Sequence, residues 1–484
     1  MKKINFIIPV LFAIFISSAF SRQITSQEAK TVASNKINLL QKSSIFSIPN
    51  NISTLKDESL ILAYIFHLYP TGYIVVSSNT SLPPIPAYSF ESNFENSNQL
   101  NTLSVMLKKD LIRQNKEAIA NNHFKNSNEE LWNQLLNTTH PQKTDFQQWP
   151  EIGNGWIKTN WTQTAPYSNF CPIDPITSQR SYTGCPATAM SQILNFHQSI
   201  NQTSFNNNDD YYHNYAGRQF NIDNDYATHG FPSFPELNSY LDTLQNHWHN
   251  NIVLTNNDKA ALNFACGVAA SQVFTSEGSG TFSVSQALDA YHRFGCTSAL
   301  LIGPTDTSLI YHLMQNMKDT LPAHLAIVDS GWTMGHNIVV DGYNTDGYFH
   351  VNFGWGGSSN GWYLLPQGLP SNLTYFEGVV VDIMKNSTME IPDNNIDIQS
   401  VSVFPNPCKD VINISSKLAS SEKITLKIWD IAGLLHFCED IYIDKQKTTS
   451  INLSGLNLKS GVLIYQISTT KEVFFGKVIK LTEN

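Results

Sequence analysis

Two short segments carry residue types able to do covalent chemistry. The first is Tyr182-Thr183-Gly184-Cys185-Pro186-Ala187-Thr188-Ala189-Met190. After it, Ala189, Ile193, Phe196 and Ile200 recur at spacings of three or four, which predicts a helix headed by Cys185. The free N–H groups and dipole at a helix start favour a thiolate over a thiol, and a thiolate is a nucleophile for carbonyl carbon. Gly184 permits a tight entry, and Pro186 is expected at the first helical position, where a missing N–H does no harm. A lone cysteine is more often buried and inert. A matching histidine reverses that expectation.

That histidine stands 151 residues downstream, in Gly335-His336-Asn337-Ile338-Val339-Val340-Asp341-Gly342-Tyr343, followed by His350-Val351-Asn352-Phe353-Gly354-Trp355-Gly356-Gly357. The turn Asn344-Thr345-Asp346-Gly347 predicts a hairpin that sets His336 opposite roughly residues 353 to 355, with Asn352 close by. Asn352 is then placed to accept the second imidazole N–H and fix the tautomer, the third part of a cysteine nucleophile system. The plain alternative is polar residues facing water on an edge strand. His324 and His350 read as ordinary surface or internally satisfied histidines. Acyl transfer also needs oxyanion donors. The Cys185 N–H is one; Pro186 has none to offer, so a second must come from elsewhere, and Gln163 in Trp161-Thr162-Gln163-Thr164-Ala165-Pro166-Tyr167 is a candidate on an upstream loop.

The elements that must position these groups follow from the whole chain. With 484 residues there is room for about three domains, each with its own core. Hydrophobic content of 41% and 14% charged residues is globular. Thirty basic against 39 acidic residues give a net charge of −9, which argues against nucleic acid as a partner. Lys2 and Lys3, an apolar run from Ile4 to Ile16 and small residues at 19 and 21 predict a signal peptide over 1–21, too short for the roughly 20 residues a spanning helix needs. The mature protein is expected to be exported and without a transmembrane anchor. The six cysteines include no Cys-x-x-Cys pair, so no zinc ribbon or redox motif is expected.

Residues 22–145 predict a small α+β domain: a capping box at Thr25-Ser26-Gln27-Glu28 opening a helix, strands at 63–68 and 73–77, then helix and loop over 98–140. Residues 146–385 form a second domain, helical in its first half and strand-rich in its second, with strands at 337–340, 348–353, 362–365 and 379–383. A polar linker is expected over 386–395. Residues 396–484 alternate with period two and predict an all-β sandwich.

Residues 161–197 and 335–365 resemble the streptopain family of papain-like cysteine peptidases, through Trp161-x-Gln163-x-x-Pro166-Tyr167, Thr183-Gly184-Cys185-x-Ala187-Thr188-Ala189, Gly335-His336 and His350-Val351-Asn352-x-Gly354-Trp355-Gly356-Gly357. The resemblance implies an α+β, papain-like two-subdomain catalytic domain, a helical part plus an antiparallel sheet. It implies Cys185 as nucleophile, His336 as general base and acid, Asn352 orienting His336, Gln163 completing the oxyanion hole and Trp355 shielding the pair. Gly335 would leave room for substrate backbone, and Ser279-Gly280-Thr281 would line the substrate cleft. No cofactor and no metal are implied. Pro186 replaces a more usual Val, Asn337 stands where Ala or Ser is more common, and Phe353 takes a position that is often Trp.

Residues 22 to about 140 resemble that family's inhibitory propeptide, through Gly72-Tyr73-Ile74-Val75-Val76-Ser77 and Leu82-Pro83-Pro84, implying a zymogen cleaved at roughly 125–150. The last unit resembles type IX secretion sorting domains, through Val403-Phe404-Pro405-Asn406-Pro407, Ile428-Trp429-Asp430-Ile431-Ala432-Gly433 and Gly476-Lys477-Val478-Ile479-Lys480. The partners implied are protein or peptide substrates, the chain's own propeptide and the export machinery, with passage through the periplasm to the surface or medium. A secreted cysteine endopeptidase is the expected function. The alternatives are an amidase on non-protein substrates, a catalytically silent papain-like adhesin, and a metal site built from His336, Asp341 and His350.

Overall fold

The computed structural model describes residues 22–49, 52–94, 103–120, 125–137, 146–329, 332, 335–365, 375–384, 401–416, 422–430, 435–444, 448–456, 458, 460–468 and 473–481. The expected signal peptide and the expected linker lie outside the described residues. Contacts divide the chain into two units, Met1–Asn386 and Ser387–Asn484.

In the first unit, helix α1 (Ser26–Leu39) opens at the expected capping box: the Glu28 N–H donates to the Thr25 hydroxyl, and the Thr25 N–H donates to the Glu28 carboxylate. Strands β1 (Ile52–Asp57), β2 (Leu60–His67), β3 (Tyr73–Ser77) and β4 (Ala87–Ser89) follow, then helices α2 (Leu103–Ala120) and α3 (Lys125–Asn137). Short strand β5 (Gln148–Trp149) leads to α4 (Cys185–His197), the hairpin β6 (Tyr211–Tyr215) and β7 (Arg218–Ile222), and helices α5 (Tyr226–His229), α6 (Phe234–His249), α7 (Asn256–Ala269) and α8 (Ser285–Arg293). The remainder is β8 (Leu300–Ile302), α9 (Leu309–Lys318), β9 (Ala323–Val328), β10 (Gly335–Asn344), β11 (Tyr348–Asn352), β12 (Gly361–Leu364) and β13 (Tyr375–Val381).

One antiparallel sheet runs through this unit in the order β1-β2-β3-β4-β12-β11-β10-β9-β13-β8, with β5 paired to β10. The junction is β4 against β12, where Tyr88 pairs with Trp362 and Ala87 with Tyr363. A strand edge exposes unpaired N–H and C=O groups, and β4 satisfies the edge of the following domain. The described residues of 22–137 are therefore continuous with the following domain rather than tethered beside it. Two cores cross that junction. One joins Leu107 and Leu111 of α2 to Ile338, Val340, Phe349 and Phe353; the other joins Val32, Ile74 and Tyr88 to Tyr348 and Trp362. A third, helical core packs Met190, Ile193 and Leu194 of α4 against α6, α7 and the far face of the sheet.

The junction also carries buried polar contacts. The hydroxyls of Ser89 and Ser92 both donate to the Asn360 carbonyl at 2.7 Å, and the hydroxyls of Tyr73 and Tyr363 meet at 2.8 Å. Lys36 of α1, almost wholly buried, donates to Asp346 at 2.7 Å over the rings of Tyr348 and Tyr88.

Among its described residues the second unit has seven strands: β14 (Val401–Phe404), β15 (Val411–Ser416), β16 (Glu422–Asp430), β17 (Leu435–Ile443), β18 (Thr448–Asn452), β19 (Gly461–Ser468) and β20 (Val473–Lys480). They form two sheets, β14-β15-β18 and β17-β16-β19-β20. Alternate residues of both meet in one core: Ile412, Ile414 and Ile451 from the first, Leu426, Ile428, Leu463, Ile467 and Val478 from the second. This is the expected all-β sandwich.

Leu111→Ala should destabilise the full-length chain by about 2–5 kcal/mol in denaturant unfolding, because it opens a cavity between α2 and the sheet. Unchanged stability would show that α2 does not hold that face.

Candidate active site

The local sequence builds α4 so that a sulfur heads it. Gly184, at φ +81°, is the residue before the helix; a Cβ there would lie 2.9 Å from Gln272 Oε1 and 3.0 Å from the Ser279 carbonyl. Cys185 is the first helical residue and Pro186 the second, one position later than the sequence predicted. The Gln272 amide donates to the Thr183 carbonyl at 2.6 Å and fixes the approach. The Thr183 N–H donates to the Gln163 carbonyl at 3.0 Å, so the loop carrying Gln163 runs alongside the segment that leads into Cys185.

The loop with Ser279, Gly280 and Thr281 comes against Gly184 and is braced from beneath. Buried Asp174 accepts the Ser276 N–H and hydroxyl, each at 2.9 Å, the Ile176 N–H and the Arg218 guanidinium. Burial pushes the Asp174 carboxyl up, but these donors hold it at about 2. Nothing in the sequence pattern singled out Asp174 or Arg218, which lie more than 50 residues from the loop they brace. Gly335 is exposed at the start of β10.

His336 is held differently from the expectation. Its Nε2 lies 2.9 Å from the Phe353 carbonyl, and its ring stacks on Trp355 at 4.8 Å. A carbonyl only accepts, so Nε2 carries the proton and Nδ1 keeps its lone pair. Asn352 does not orient the imidazole. Its amide donates to the Thr159 carbonyl at 2.9 Å and its oxygen accepts the Gly354 N–H at 3.0 Å, tying the stretch before Gln163 to the turn before Trp355. The physical reason is register: Asn352 pairs with Val339, three residues beyond His336, and the main chain bends at Gly354, φ +69°. A backbone acceptor leaves no signature in residue types, which is why it was missed.

Among the described residues, Cys185 Sγ and the imidazole share no hydrogen bond. The side-chain donor to Sγ is the Asn337 amide, at 3.8 Å. Burial pushes the thiol above its ordinary value, only partly offset by N–H donors of Asn337 and Cys185 itself. Burial likewise lowers His336 to about 4. Desolvation thus works against the helix terminus that the sequence put forward, and both shifts oppose the expected thiolate–imidazolium pair.

The two histidines set aside from sequence are buried and satisfied rather than at the surface. His324 bridges Asn337 Oδ1 at 2.7 Å and the Tyr291 hydroxyl at 3.1 Å. His350 donates through Nδ1 to Asp341 at 2.6 Å and through Nε2 to Glu91 at 2.5 Å; the Asn154 amide also holds Glu91. Burial would lower His350, but the two carboxylates raise it to about 9, and both ring nitrogens are spoken for, so the metal set of His336, Asp341 and His350 is not assembled. Glu91 belongs to the N-terminal domain, so this triad fastens that domain to the sheet.

Residues 161–363 match the peptidase C10 family. The central domain belongs to that family, the streptopain family. Residues 21–115 match the Spi protease inhibitor family, and residues 402–481 the secretion system C-terminal sorting domain. The chain is similar to the thiol protease/hemagglutinin PrtT of Porphyromonas gingivalis, at 31% identity over 228 residues, 44% of this chain and 24% of that protein. It is similar to streptopain of Streptococcus pyogenes at 25% over 335 residues, 64% of this chain and 75% of streptopain. The chain thus spans about a quarter of PrtT's length. Among solved structures it is similar to a prointerpain A fragment of Prevotella intermedia, at 23% identity and TM-score 0.49, over 69% of this chain and 99% of the fragment. The central domain is accordingly a cysteine-type peptidase, preceded by its inhibitor-type propeptide and followed by a sorting domain for export to the surface or medium. Among the described residues no helix is long and apolar enough to cross a membrane.

Iodoacetamide should label Cys185 in the full-length chain at least roughly tenfold more slowly at pH 7 than exposed Cys438, read by peptide mass spectrometry, since burial keeps the sulfur protonated. Equal rates would contradict that account. A second expectation concerns the Glu91–His350 contact. His350 is raised in the folded chain, so its contribution is full below pH 6.5 and lost as pH rises through about 9. Burial pushes Glu91 up, but His350 brings it below its ordinary 4.5, so its contribution is full above pH 4.5 and lost on acidification. The Tm deficit of Glu91→Gln should be largest between pH 4.5 and 6.5 and fade beyond about 9. A deficit independent of pH would remove the ion pair from the account.

Proposed function

We propose that the full-length chain is the latent form of an exported cysteine endopeptidase. The observation that carries this reading is the arrangement of the site: the Phe353 carbonyl accepts from His336 Nε2 and leaves Nδ1 with its lone pair, Cys185 heads α4, and described residues of 22–137 share a sheet and two cores with β10 to β12. In the released enzyme the imidazole takes the Cys185 proton on Nδ1, giving a thiolate–imidazolium pair. The sulfur attacks the scissile carbonyl carbon; the Cys185 N–H and the Gln163 side chain receive the oxyanion. The C–N bond breaks as the imidazolium gives its proton to the leaving amine. Water then attacks the thioester, losing its proton to His336, and the acid product leaves with the free thiol restored.

Trp355 covers the imidazole from water, and Asn352 holds the Gln163 and Trp355 segments at fixed spacing. Gly335 with Ser279, Gly280 and Thr281 would receive substrate backbone on either side of Gly184. The substrates are proteins or peptides, the propeptide over 22–145 is the brake, released by cleavage within roughly 125–150, and the domain over 396–484 is read by the type IX machinery after loss of residues 1–21.

Cys185→Ala should lower peptide hydrolysis by at least roughly 10⁴-fold with the fold retained. The wild-type chain beginning at Arg22 should gain activity only after cleavage near residues 125–150. Hydrolysis by Cys185→Ala, or full activity in the uncleaved chain, would refute the reading; turnover of small amides but no peptide would favour the amidase.

A further inference from the structure

The nucleophile's neighbour Asn337 lies at the end of a hydrogen-bonded chain that the mechanism above does not use. Tyr291 of α8, His324 of β9 and Asn337 of β10 come from three separate elements and converge on Cys185 Sγ. Tyr291 and His324 are fully buried. Burial lowers His324 to about 4, so at neutral pH it has one N–H and one lone pair. Burial also keeps the Tyr291 phenol protonated.

Those states admit one consistent set of directions. The Tyr291 O–H donates to His324 Nδ1 over 3.1 Å, His324 Nε2–H donates to Asn337 Oδ1 over 2.7 Å, and Asn337 Nδ2–H is turned toward Sγ at 3.8 Å. Reversing the amide would make the phenol oxygen an acceptor and leave its proton needing another acceptor; among the described residues it has none. Reversal would also aim the amide oxygen at the sulfur, which would repel a thiolate.

We infer that Asn337 is a further catalytic residue, whose amide stabilises the Cys185 thiolate, and that His324 and Tyr291 are positioning residues that hold the amide with its donor side on the sulfur. This deepens the peptidase reading and rests on Cys185 being the nucleophile. A hydrogen bond aimed at the charged form of an acid favours ionisation. The donor is a side chain, so it adds to the backbone N–H groups at the head of α4 and survives where solvent is excluded. The ionisable groups packed around the path are His336, His324, Tyr291 and, behind Tyr291, Cys266 and Cys296.

The test measures iodoacetamide labelling of Cys185 against pH in the full-length chain, by peptide mass spectrometry. This reading needs no substrate. Asn337→Ala should slow labelling about tenfold at neutral pH and move the profile to higher pH, the scale of one hydrogen bond to an ion. Tyr291→Phe, which removes one oxygen and keeps the ring, should move it the same way by less. His324→Phe should match Asn337→Ala, and His324→Gln, which retains an N–H donor, should restore most of the rate. A profile unmoved in Asn337→Ala or in His324→Phe overturns the inference. If either does not fold, the Tyr291→Phe and His324→Gln profiles decide, and no shift in Tyr291→Phe overturns it. Loss of the peptidase reading would show instead as hydrolysis surviving Cys185→Ala, which the labelling profile does not touch.

Discussion

The edge of β12 is the constraint on which the rest of the first unit depends. An antiparallel sheet that ends in an exposed, apolar strand has unsatisfied backbone groups on one side and bare side chains on its faces. Strand β4 supplies the backbone partner and α1 to α3 cover the faces, so the peptidase domain and its propeptide share two cores rather than an interface. The polar contacts at the join are mostly buried and complementary: Lys36 with Asp346, Glu91 with His350 and Asp341, two serines on one carbonyl. Removing one member of such a set leaves the others desolvated and unpaired, which makes the join specific as well as stable.

Burial bears on the chemistry at Cys185 and His336 as well, through neighbours that belong to the central domain. A helix start and a nearby imidazole would lower a thiol's pKa in an open cleft. Here desolvation acts on both groups in the direction that discharges them, and it is the larger effect. The tautomer of His336 is nevertheless already set, by a carbonyl and a stacked indole that belong to the peptidase domain itself. The imidazole is thus prearranged in geometry, while burial disfavours charge on it and on the thiol.

Much of this was legible beforehand. Gly184-Cys185-Pro186 announced a helix headed by sulfur because each residue has a backbone reason to be there. The Asn344–Gly347 turn announced the β10–β11 hairpin, and the register it implied put His336 near Trp355. Period-two alternation announced the all-β sandwich of the last unit. What escaped was of another kind. The acceptor for His336 is a main-chain oxygen. Asp174 and Arg218 brace a loop from far along the chain. His324 and His350, set aside as unremarkable, are buried hubs whose partners lie on other strands.

The amino-acid sequence alone put forward Cys185 and His336 as the candidate reacting groups, the family resemblance and the order of propeptide, peptidase and sorting segments, because a cysteine at a helix start, a turn and alternation are properties of residue type and spacing. Only the tertiary structure decided which acceptor holds the imidazole, that the Asn337 amide meets the sulfur, and that burial disfavours charge on both Cys185 and His336. Hydrogen bonding and desolvation depend on what packs around a group in three dimensions, and the packing here comes from segments remote in the chain.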